Sequence, residues 1–413
     1  MTATSHSPRR ARCRTRNDPS LGFPFLSVVS VSHAGGETTK SLSFVSVDQR
    51  DLDRLLTMMA RVDGSDLLIK AGAQPRMRID GDLRLLQDEE AFTAEEMELL
   101  VEAMLPARMS ETFDRHHEVD FAYSVPSLGR FRVNAFYQRS TIAVVLRRVR
   151  TNAASAEELG LPSAIYDLAS EHRGLILVTG PTGSGKTTTL ATMIDHINRT
   201  RPCHIVTIED PIEFLHHDQV ACVEQREVGF DTDSFASAMR VVLRQDPDVI
   251  FVGEMRDIET AAAALSAAET GHLVLSTLHT IDVTETISRV IDFFPPYQQT
   301  QIRMSLAGAL RGTLAQRLVR RADGRGRLPA VELMVANGRI RQCIEDPEKT
   351  GEIEQIVAEG EYYGMQTFDQ SLANLLSQGK ISLDEAMKVS SNPHDLRVTL
   401  EKRGLISTGS RFT

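Results

Sequence analysis

The stretch LILVTGPTGSGKT, residues 175–187, carries the clearest structural signal in this 413-residue chain. An apolar run ends at Thr179, and the residues after it match the pattern G-x-x-x-x-G-K-[ST]. The glycines let backbone N–H groups wrap phosphates, and a helix that begins near Thr187 adds its partial positive charge. A glycine-rich turn without function is the alternative, but strand, loop and helix occur in the order that phosphate binding requires. The stretch therefore predicts a phosphate-binding loop.

The side chains of this loop predict a nucleotide together with a metal ion. Lys186 is expected to reach the β- and γ-phosphates of ATP, and the hydroxyl of Thr187 is expected to ligate Mg²⁺. The residues predicted to bind the nucleotide are Gly180, Pro181, Thr182, Gly183, Ser184, Gly185, Lys186, Thr187 and Thr188.

Apolar strands alternate with helical segments from residue 159 to residue 365. The strands are LILVT (175–179), HIVTIE (204–209), VIFVGE (249–254) and LVLSTL (273–278). Nearly continuous apolar strands separated by helices are typical of a parallel sheet that is covered on both faces. This part of the chain is therefore predicted to be an α/β domain.

Acidic residues follow two of these strands. Glu209 and Asp210 end one strand and Glu254 ends another, at the edge where open parallel sheets bind their ligands. Glu209 and Glu254 are therefore predicted to act near the metal and the attacking water. A helix cap is the alternative for both glutamates, and Asp210, which precedes Pro211, is equally consistent with a turn.

Two histidines, His272 and His279, flank the strand LVLSTL. A zinc pair would need further ligands at metal-binding spacing, and no cysteine or third histidine is near in the sequence. Two ordinary core histidines remain the alternative to a role at the site.

The segment before the loop has a different pattern. Residues 51–62 have helical spacing, Thr93 opens a capping box, and Asp80-Gly81 is a hairpin signal. GRFRVNAF (129–136) and IAVVLRRV (142–149) are predicted to be paired strands. The predicted organisation is a disordered tail or miscalled start (1–47), an α+β domain (48–150), a linker (151–158), an α/β core (159–365), C-terminal helices (366–404) and a disordered end (405–413).

Composition limits the functional classes. A net charge of −10 argues against nucleic acid as a partner, because the phosphates of nucleic acids bind to basic protein surfaces. The four cysteines are far apart and suit a reducing compartment. No segment has the roughly 20 apolar residues of a membrane-spanning helix, so we expect any membrane association to be peripheral.

Four motifs occur in a fixed order: GPTGSGKTTTLATMIDHIN, HIVTIEDPIEFLH, LRQDPDVIFVGEMRD and AETGHLVLSTLHT. They resemble the Walker A, Asp-box, Walker B and His-box motifs of the ATPases that power type II and IV secretion and type IV pili. Within this superfamily the likeness is to the PilT branch, the pilus-retraction ATPases of twitching motility. GMQTFDQSLANLL (364–376) is similar to that branch as well.

The resemblance implies an architecture and a function. It implies a PAS-like N-terminal domain and a RecA-like ATPase domain with a helical C-terminal tail, assembled as a homo-hexamer. The expected activity is ATP hydrolysis that drives pilus retraction. The expected location is the cytoplasmic face of the inner membrane, and the expected partner is the pilus platform protein there.

The resemblance also assigns roles to the acids and histidines. Glu209 would polarise the attacking water and Glu254 would be the Walker B residue near magnesium, although the reverse assignment stays open. His272 and His279 would lie near the nucleotide and the domain junction, and His279 would sense the γ-phosphate.

Arginines of the N-terminal domain are assigned in the same way. Arg132 and Arg147 match arginines that the family places against a neighbour's nucleotide, where positive charge stabilises the γ-phosphoryl. A solvated strand face is the alternative, and Arg130 and Arg148 are weaker candidates.

Two segments depart from the retraction branch. Leu68 stands where that branch commonly has histidine, and Glu345-Asp346 replaces the arginine–glutamate ending of a motif tied to motility. One alternative is a pilus-assembly or secretion ATPase, but this chain has neither the added N-terminal domain nor the tetracysteine insertion often found there. A low-turnover accessory ATPase is the other alternative, and the intact Lys186, Glu209 and Glu254 argue against it.

Overall fold

Two β-sheets organise the part of the chain that this computed structural model describes, residues 49–79, 81–126 and 128–406. The predictions for residues 1–47, for Asp80 and for residues 407–413 fall outside these ranges.

The first sheet has six strands in the order β3-β2-β1-β6-β5-β4, and all neighbouring strands are antiparallel. Its strands are β1 (Asp66–Lys70), β2 (Ala73–Ile79), β3 (Asp82–Leu85), β4 (Glu118–Val125), β5 (Gly129–Gln138) and β6 (Thr141–Arg148). Its helices are α1 (Gln49–Arg61), α2 (Ala94–Met104) and α3 (Ser110–His116), with a 3₁₀ turn at Ala107–Met109. Phe131, Val133 and Ala135 of β5 alternate with more exposed residues and enter the core.

Local signals of the sequence are confirmed in this sheet. The Thr93 hydroxyl accepts the N–H of Glu96 (3.2 Å), and the Glu96 carboxylate accepts the N–H of Thr93 (2.8 Å), which is a complete capping box. The predicted hairpin is present because β2 pairs with β3 from Ile79–Asp82 onwards. The predicted pair of strands, β5 and β6, is also present.

The second sheet has seven strands in the order β13-β12-β7-β11-β10-β8-β9. Its strands are β7 (Gly174–Thr179), β8 (His204–Glu209), β9 (Cys222–Glu227), β10 (Val249–Val252), β11 (Leu273–Leu278), β12 (Leu310–Arg320) and β13 (Arg327–Val335). All residues of β7, β10 and β11 are buried, because helices cover both faces of these strands.

The helices of the second sheet include three in the predicted C-terminal segment. They are α4 (Ala156–Leu159), α5 (Ala164–Ala169), α6 (Lys186–Thr200), α7 (Phe235–Val242), α8 (Ile258–Glu269), α9 (Val283–Asp292), α10 (Pro296–Ala309), α11 (Gly338–Glu345), α12 (Ile353–Ala358), α13 (Phe368–Ser377), α14 (Leu383–Val389) and α15 (Pro393–Lys402), with 3₁₀ turns at Pro347–Glu352 and Glu361–Tyr363. No helix in the described ranges is both long and apolar enough to cross a lipid bilayer.

Three expectations need correction here. The sheet is not wholly parallel, since its edge strand β13 runs antiparallel to β12. The expected linker, 151–158, already contains the start of α4, where Ser155 and Glu158 form a second capping box. The expected disordered end begins too early, because Leu405 and Ile406 still pack against the core.

Candidate active site

The predicted phosphate loop connects β7 to α6 and lines a cavity of about 650 Å³. It starts at Gly180, whose φ of 138° lies in a region that only glycine adopts readily, and it ends at Gly185, just before α6. A helix N-terminus that opens into a cavity is a ready phosphate site. The predicted nucleotide-binding residues that line the cavity are Thr182, Gly183, Gly185, Lys186, Thr187 and Thr188, whereas Gly180, Pro181 and Ser184 do not.

The ammonium group of Lys186 lies over this loop. Its Nζ donates to the carbonyl oxygens of Gly180 (2.8 Å) and Pro181 (3.3 Å). Burial lowers the pKa of Lys186, while the negative charges of Glu254 and Glu213 act in the opposite direction. The Lys186 ammonium is therefore a partly desolvated cation beside carboxylates, positioned to bind phosphate oxygens.

The facing wall of the cavity comes from the ends of three parallel strands. Glu209 is the last residue of β8, Glu254 lies just beyond β10, and His279 directly follows β11. Because β8, β10 and β11 are adjacent and parallel, their carboxyl ends meet at one edge of the sheet. The structure therefore brings these three predicted site residues into the same cavity as the phosphate loop.

Glu209 is a buried carboxylate with two hydrogen-bond donors. Its Oε1 accepts from the Thr207 hydroxyl (2.7 Å) and from Nε2 of Gln225 (3.0 Å). Burial raises the pKa of Glu209 to about 7, even though both donors favour the charged form. A carboxyl group that titrates near neutral pH is suited to accept a proton from water.

Glu254 has a donor on each carboxylate oxygen. Arg256 approaches Oε2 (2.9 Å) and Nε2 of His279 approaches Oε1 (3.1 Å). Partial burial alone would raise the pKa of Glu254, but the hydrogen bonds and charges of Arg256 and His279 lower it. Glu254 is therefore held ionised, whereas Glu209 is poised to titrate.

The oxygen atoms around the cavity fit magnesium. In the described ranges, no group of three or more His, Cys, Asp and Glu residues could hold a metal ion by itself. The Thr187 hydroxyl and the carboxylates of Glu209 and Glu254 line the cavity. These are hard oxygen donors, and Mg²⁺ commonly binds a few such groups together with water and substrate phosphates. The donor set fits an ion that shares its ligands with a nucleotide.

Arg132 and Arg147 of the first sheet do not line this cavity, and both line a neighbouring one of about 570 Å³. Arg132 donates to the carbonyl oxygen of Ile212 (2.7 Å) in the loop that follows Glu209, and burial lowers its pKa. Arg147 pairs with Asp66 at 2.7 Å, and its side chain is 65% exposed.

The two weaker arginine candidates have partners as well. Arg130 pairs with Glu227 of the second sheet at 2.8 Å, in a largely buried contact. Arg148 pairs with the exposed Asp63 at 3.2 Å. Arg130 therefore joins the first sheet to the second, and Arg132 joins it to the loop that follows β8.

His272 is not brought to the cavity, which corrects the expectation that both histidines lie there. It precedes β11 while His279 follows it, and six residues of strand extend about 20 Å. The ring Nδ1 of His272 lies 3.0 Å from the carbonyl oxygen of Ala267. Within one chain, His272 therefore lies at the amino-terminal end of β11, away from the cavity at its carboxyl end.

Several residues of the site were not predicted from the sequence. Arg256 binds Glu254, and Thr207 and Gln225 bind Glu209. The sequence could have indicated Arg256, since this basic residue stands two positions after the predicted acid Glu254 in VIFVGEMRD. Other unpredicted residues that line the cavity are Pro211, Glu213, Phe235, Phe251, Gly253, Thr277, Leu318 and Arg327.

Residues 50–327 match the family described as type II/IV secretion system protein. This chain belongs to that family. The expected likeness to secretion ATPases is thereby confirmed, and with it the prediction of an ATPase with a mixed α/β fold.

The similar proteins include pilus-retraction ATPases of this family. The chain is 41% identical over 345 residues to the type IV pilus retraction ATPase PilT of Pseudomonas aeruginosa, which covers 84% of this chain and 99% of that protein. It is 43% identical over 322 residues to a twitching motility protein of Neisseria gonorrhoeae, with coverage of 78% and 86%. A crystal structure of the pilus retraction motor PilT with bound ADP superposes with a TM-score of 0.76 at 44% identity, over 84% of this chain and 98% of that one. The expected likeness to the PilT branch is confirmed.

Proposed function

We propose that this chain is an ATP-hydrolysing motor that powers retraction of type IV pili. The observation that carries the proposal is one cavity that unites the phosphate loop with Glu209, Glu254 and His279. The chain also matches nearly the whole length of a pilus retraction ATPase, so the likeness includes more than its nucleotide site.

The residues of the cavity divide the chemistry between them. Lys186 and the loop N–H groups bind the phosphates, and Thr187 and Glu254 hold Mg²⁺ directly or through water. Bound magnesium supplies positive charge beside the transferred phosphoryl group. Glu209 polarises the attacking water, because its pKa of about 7 allows it to accept a proton near neutral pH. His279 senses the γ-phosphate, and its contact with Glu254 links that signal to the metal side of the site.

The likeness to the family supports a finer architecture. We propose a PAS-like domain at residues 48–150 and a RecA-like domain at 159–365, assembled in a homo-hexamer. Arg147, whose side chain is largely exposed, faces a neighbour's nucleotide in this assembly. Arg132 instead holds the loop after Glu209 in its own chain. ATP binding draws the two domains together and hydrolysis releases them, which converts chemistry into movement.

The proposed cellular location is that of a motor of the pilus machinery. The hexamer works at the cytoplasmic face of the inner membrane, bound to the pilus platform protein as a peripheral component. Nucleic acid is not a proposed partner, in keeping with the net charge of −10.

Deletion of the gene tests the direction of the motor. Cells with excess pili that do not retract support the proposal, whereas cells without pili indicate an assembly ATPase, and normal pili with lost secretion indicate a secretion ATPase. Reintroduction of the gene with Lys186→Ala should fail to restore retraction. Restoration by that variant would indicate an accessory protein that needs little turnover. Crosslinking of the purified chain, with and without ATP, tests the hexamer.

A further inference from the structure

A buried glutamine of the second sheet lies beneath the phosphate loop. Gln316 belongs to β12, which pairs in parallel with β7, and Ala315 stands opposite Thr179 at the end of β7. Gln316 therefore lies level with the point where the chain leaves β7 and enters the loop. Its side chain is 3% exposed.

Both ends of the Gln316 amide are used. Nε2 donates to the carbonyl oxygen of Ser184 (2.8 Å), and Oε1 accepts from the hydroxyl of Thr189 in α6 (2.8 Å). A carbonyl oxygen can only accept, so the amide nitrogen must face Ser184, and the hydroxyl then donates to the amide oxygen. One side chain thus joins the end of the phosphate loop to the first turn of α6.

The loop approaches Gln316 so closely that two of its positions require glycine. A Cβ at Gly185 would lie 2.7 Å from Nε2 of Gln316. A Cβ at Gly180 would overlap the main-chain oxygen of Gln316. The glycines of the phosphate loop therefore serve packing against β12 as well as backbone conformation.

The contact with Ser184 has a consequence for phosphate binding. The C=O and the N–H of a trans peptide point in opposite directions. The peptide that carries the Ser184 carbonyl also carries the N–H of Gly185. Gly185 is one of the residues that line the cavity. When Gln316 holds the carbonyl on the sheet side, this N–H points away from the sheet, towards the space where phosphates bind.

We propose that Gln316 is a positioning residue for the nucleotide: by holding the Ser184 carbonyl, it aims the Gly185 N–H at the phosphates. This inference rests on the proposed nucleotide site. A glutamine meets the requirement because it donates to the loop and accepts from the helix at the same time, which no apolar side chain of similar size can do.

The affinity of the full-length chain for a fluorescent ADP analogue tests the proposal. Gln316→Leu keeps the volume but removes the donor, and should weaken ADP binding about tenfold. Thr313→Val is the matched control, since Thr313 is buried in the same strand and its hydroxyl has no hydrogen-bond partner among the described residues. This control should bind ADP as the wild type does.

The pH dependence of Gln316→Glu separates positioning from a purely structural role. As a carboxylate at about pH 8, the new side chain cannot donate to Ser184, and ADP binding should be weak. Burial raises the pKa of such a carboxyl group, so protonation towards about pH 6 restores a donor. The affinity relative to wild type at the same pH should then recover.

Two results would overturn the proposal: a folded Gln316→Leu with wild-type affinity, or a Gln316→Glu whose deficit is equal at both pH values. If Gln316→Leu fails to fold, the pH comparison decides. A wild-type chain that binds no ADP would instead contradict the proposed function itself.

Discussion

Glu254 and His279 face each other across the ends of two neighbouring strands, with 3.1 Å between Oε1 and Nε2. Arg256 lies 2.9 Å from the second carboxylate oxygen. The carboxylate thus has a donor on each side, which lowers its pKa in spite of partial burial. Removal of His279 therefore takes one of the two donors from the residue proposed to act near magnesium.

His279→Ala should lower kcat by roughly 10- to 100-fold, because Glu254, the residue proposed to act near magnesium, loses the donor at its Oε1. The affinity for ADP should change little, since the ion pair that the described ranges give His279 is with Glu254 rather than with the phosphate loop. Steady-state ATPase assays and ADP titrations measure the two quantities. His279→Gln, which keeps an N–H donor, should recover part of kcat. His272→Ala should behave almost as wild type, and equal losses for the two alanine variants would contradict the positions given to the histidines.

The pH–rate profile should rise through about pH 7, because Glu209 must lose its proton before it can accept one from water. Thr207→Val removes a hydrogen bond that favours the charged form of Glu209. Its loss should raise the pKa of Glu209 further and move the midpoint of the kcat/KM profile, which reports groups of the free enzyme, to higher pH. Glu209→Gln should abolish the pH-dependent limb together with most of the turnover. A midpoint that stays unchanged in Thr207→Val would exclude Glu209 as the titrating group.

Local sequence patterns predicted much of this fold. The strand, glycine loop and helix around residues 175–187 fixed the site of the phosphate loop, since these signals lie within a few residues of each other. The ends of the apolar strands also located Glu209 and Glu254, because ligands of parallel sheets collect at that edge. The separation of His272 from His279 could also have been predicted from the sequence, since the strand between them is too long to bring both to one site.

Contacts between distant parts of the chain could not be predicted in this way. Gln316 lies far from Ser184 in sequence, and nothing in the apolar pattern of β12 indicates which loop it meets. Arg132 has the pattern of a polar residue in an alternating strand, but its partner is the carbonyl oxygen of Ile212, in the loop that follows β8 of the other sheet. The Gln316 contact depends on the pairing of β12 with β7, and the Arg132 contact depends on how the first sheet packs on the loop after β8; one sequence reveals neither.

Arg132→Ala should lower kcat by about tenfold or more, because the loop after Glu209 loses the guanidinium that holds the Ile212 carbonyl. Arg148→Ala is the matched comparison, since its partner Asp63 is exposed and such pairs contribute little. Mixed oligomers test whether the contact acts within one chain. Addition of Lys186→Ala subunits, which have an intact Arg132, should not rescue Arg132→Ala. Rescue would mean that Arg132 acts on a neighbour's nucleotide.

Glu332 makes the stability of the second sheet depend on pH. This β13 carboxyl group is 5% exposed and accepts the N–H of Val283, the first residue of α9 (2.9 Å). Burial raises its pKa from an ordinary 4.5 to about 7. Between these values the folded chain keeps a proton that the unfolded chain has lost, so stability falls as pH rises and the loss is complete above about pH 7.

Glu332→Gln should remove this part of the pH dependence, because the amide oxygen still accepts the Val283 N–H but nothing titrates. Relative to wild type, the free energy of unfolding of the variant should therefore increase from about pH 4.5 to about pH 7, by about 3 kcal/mol, and then stay constant. Urea unfolding at a series of pH values measures this difference. If the curves of the variant and the wild type run parallel over that range, Glu332 does not hold its proton in the folded chain.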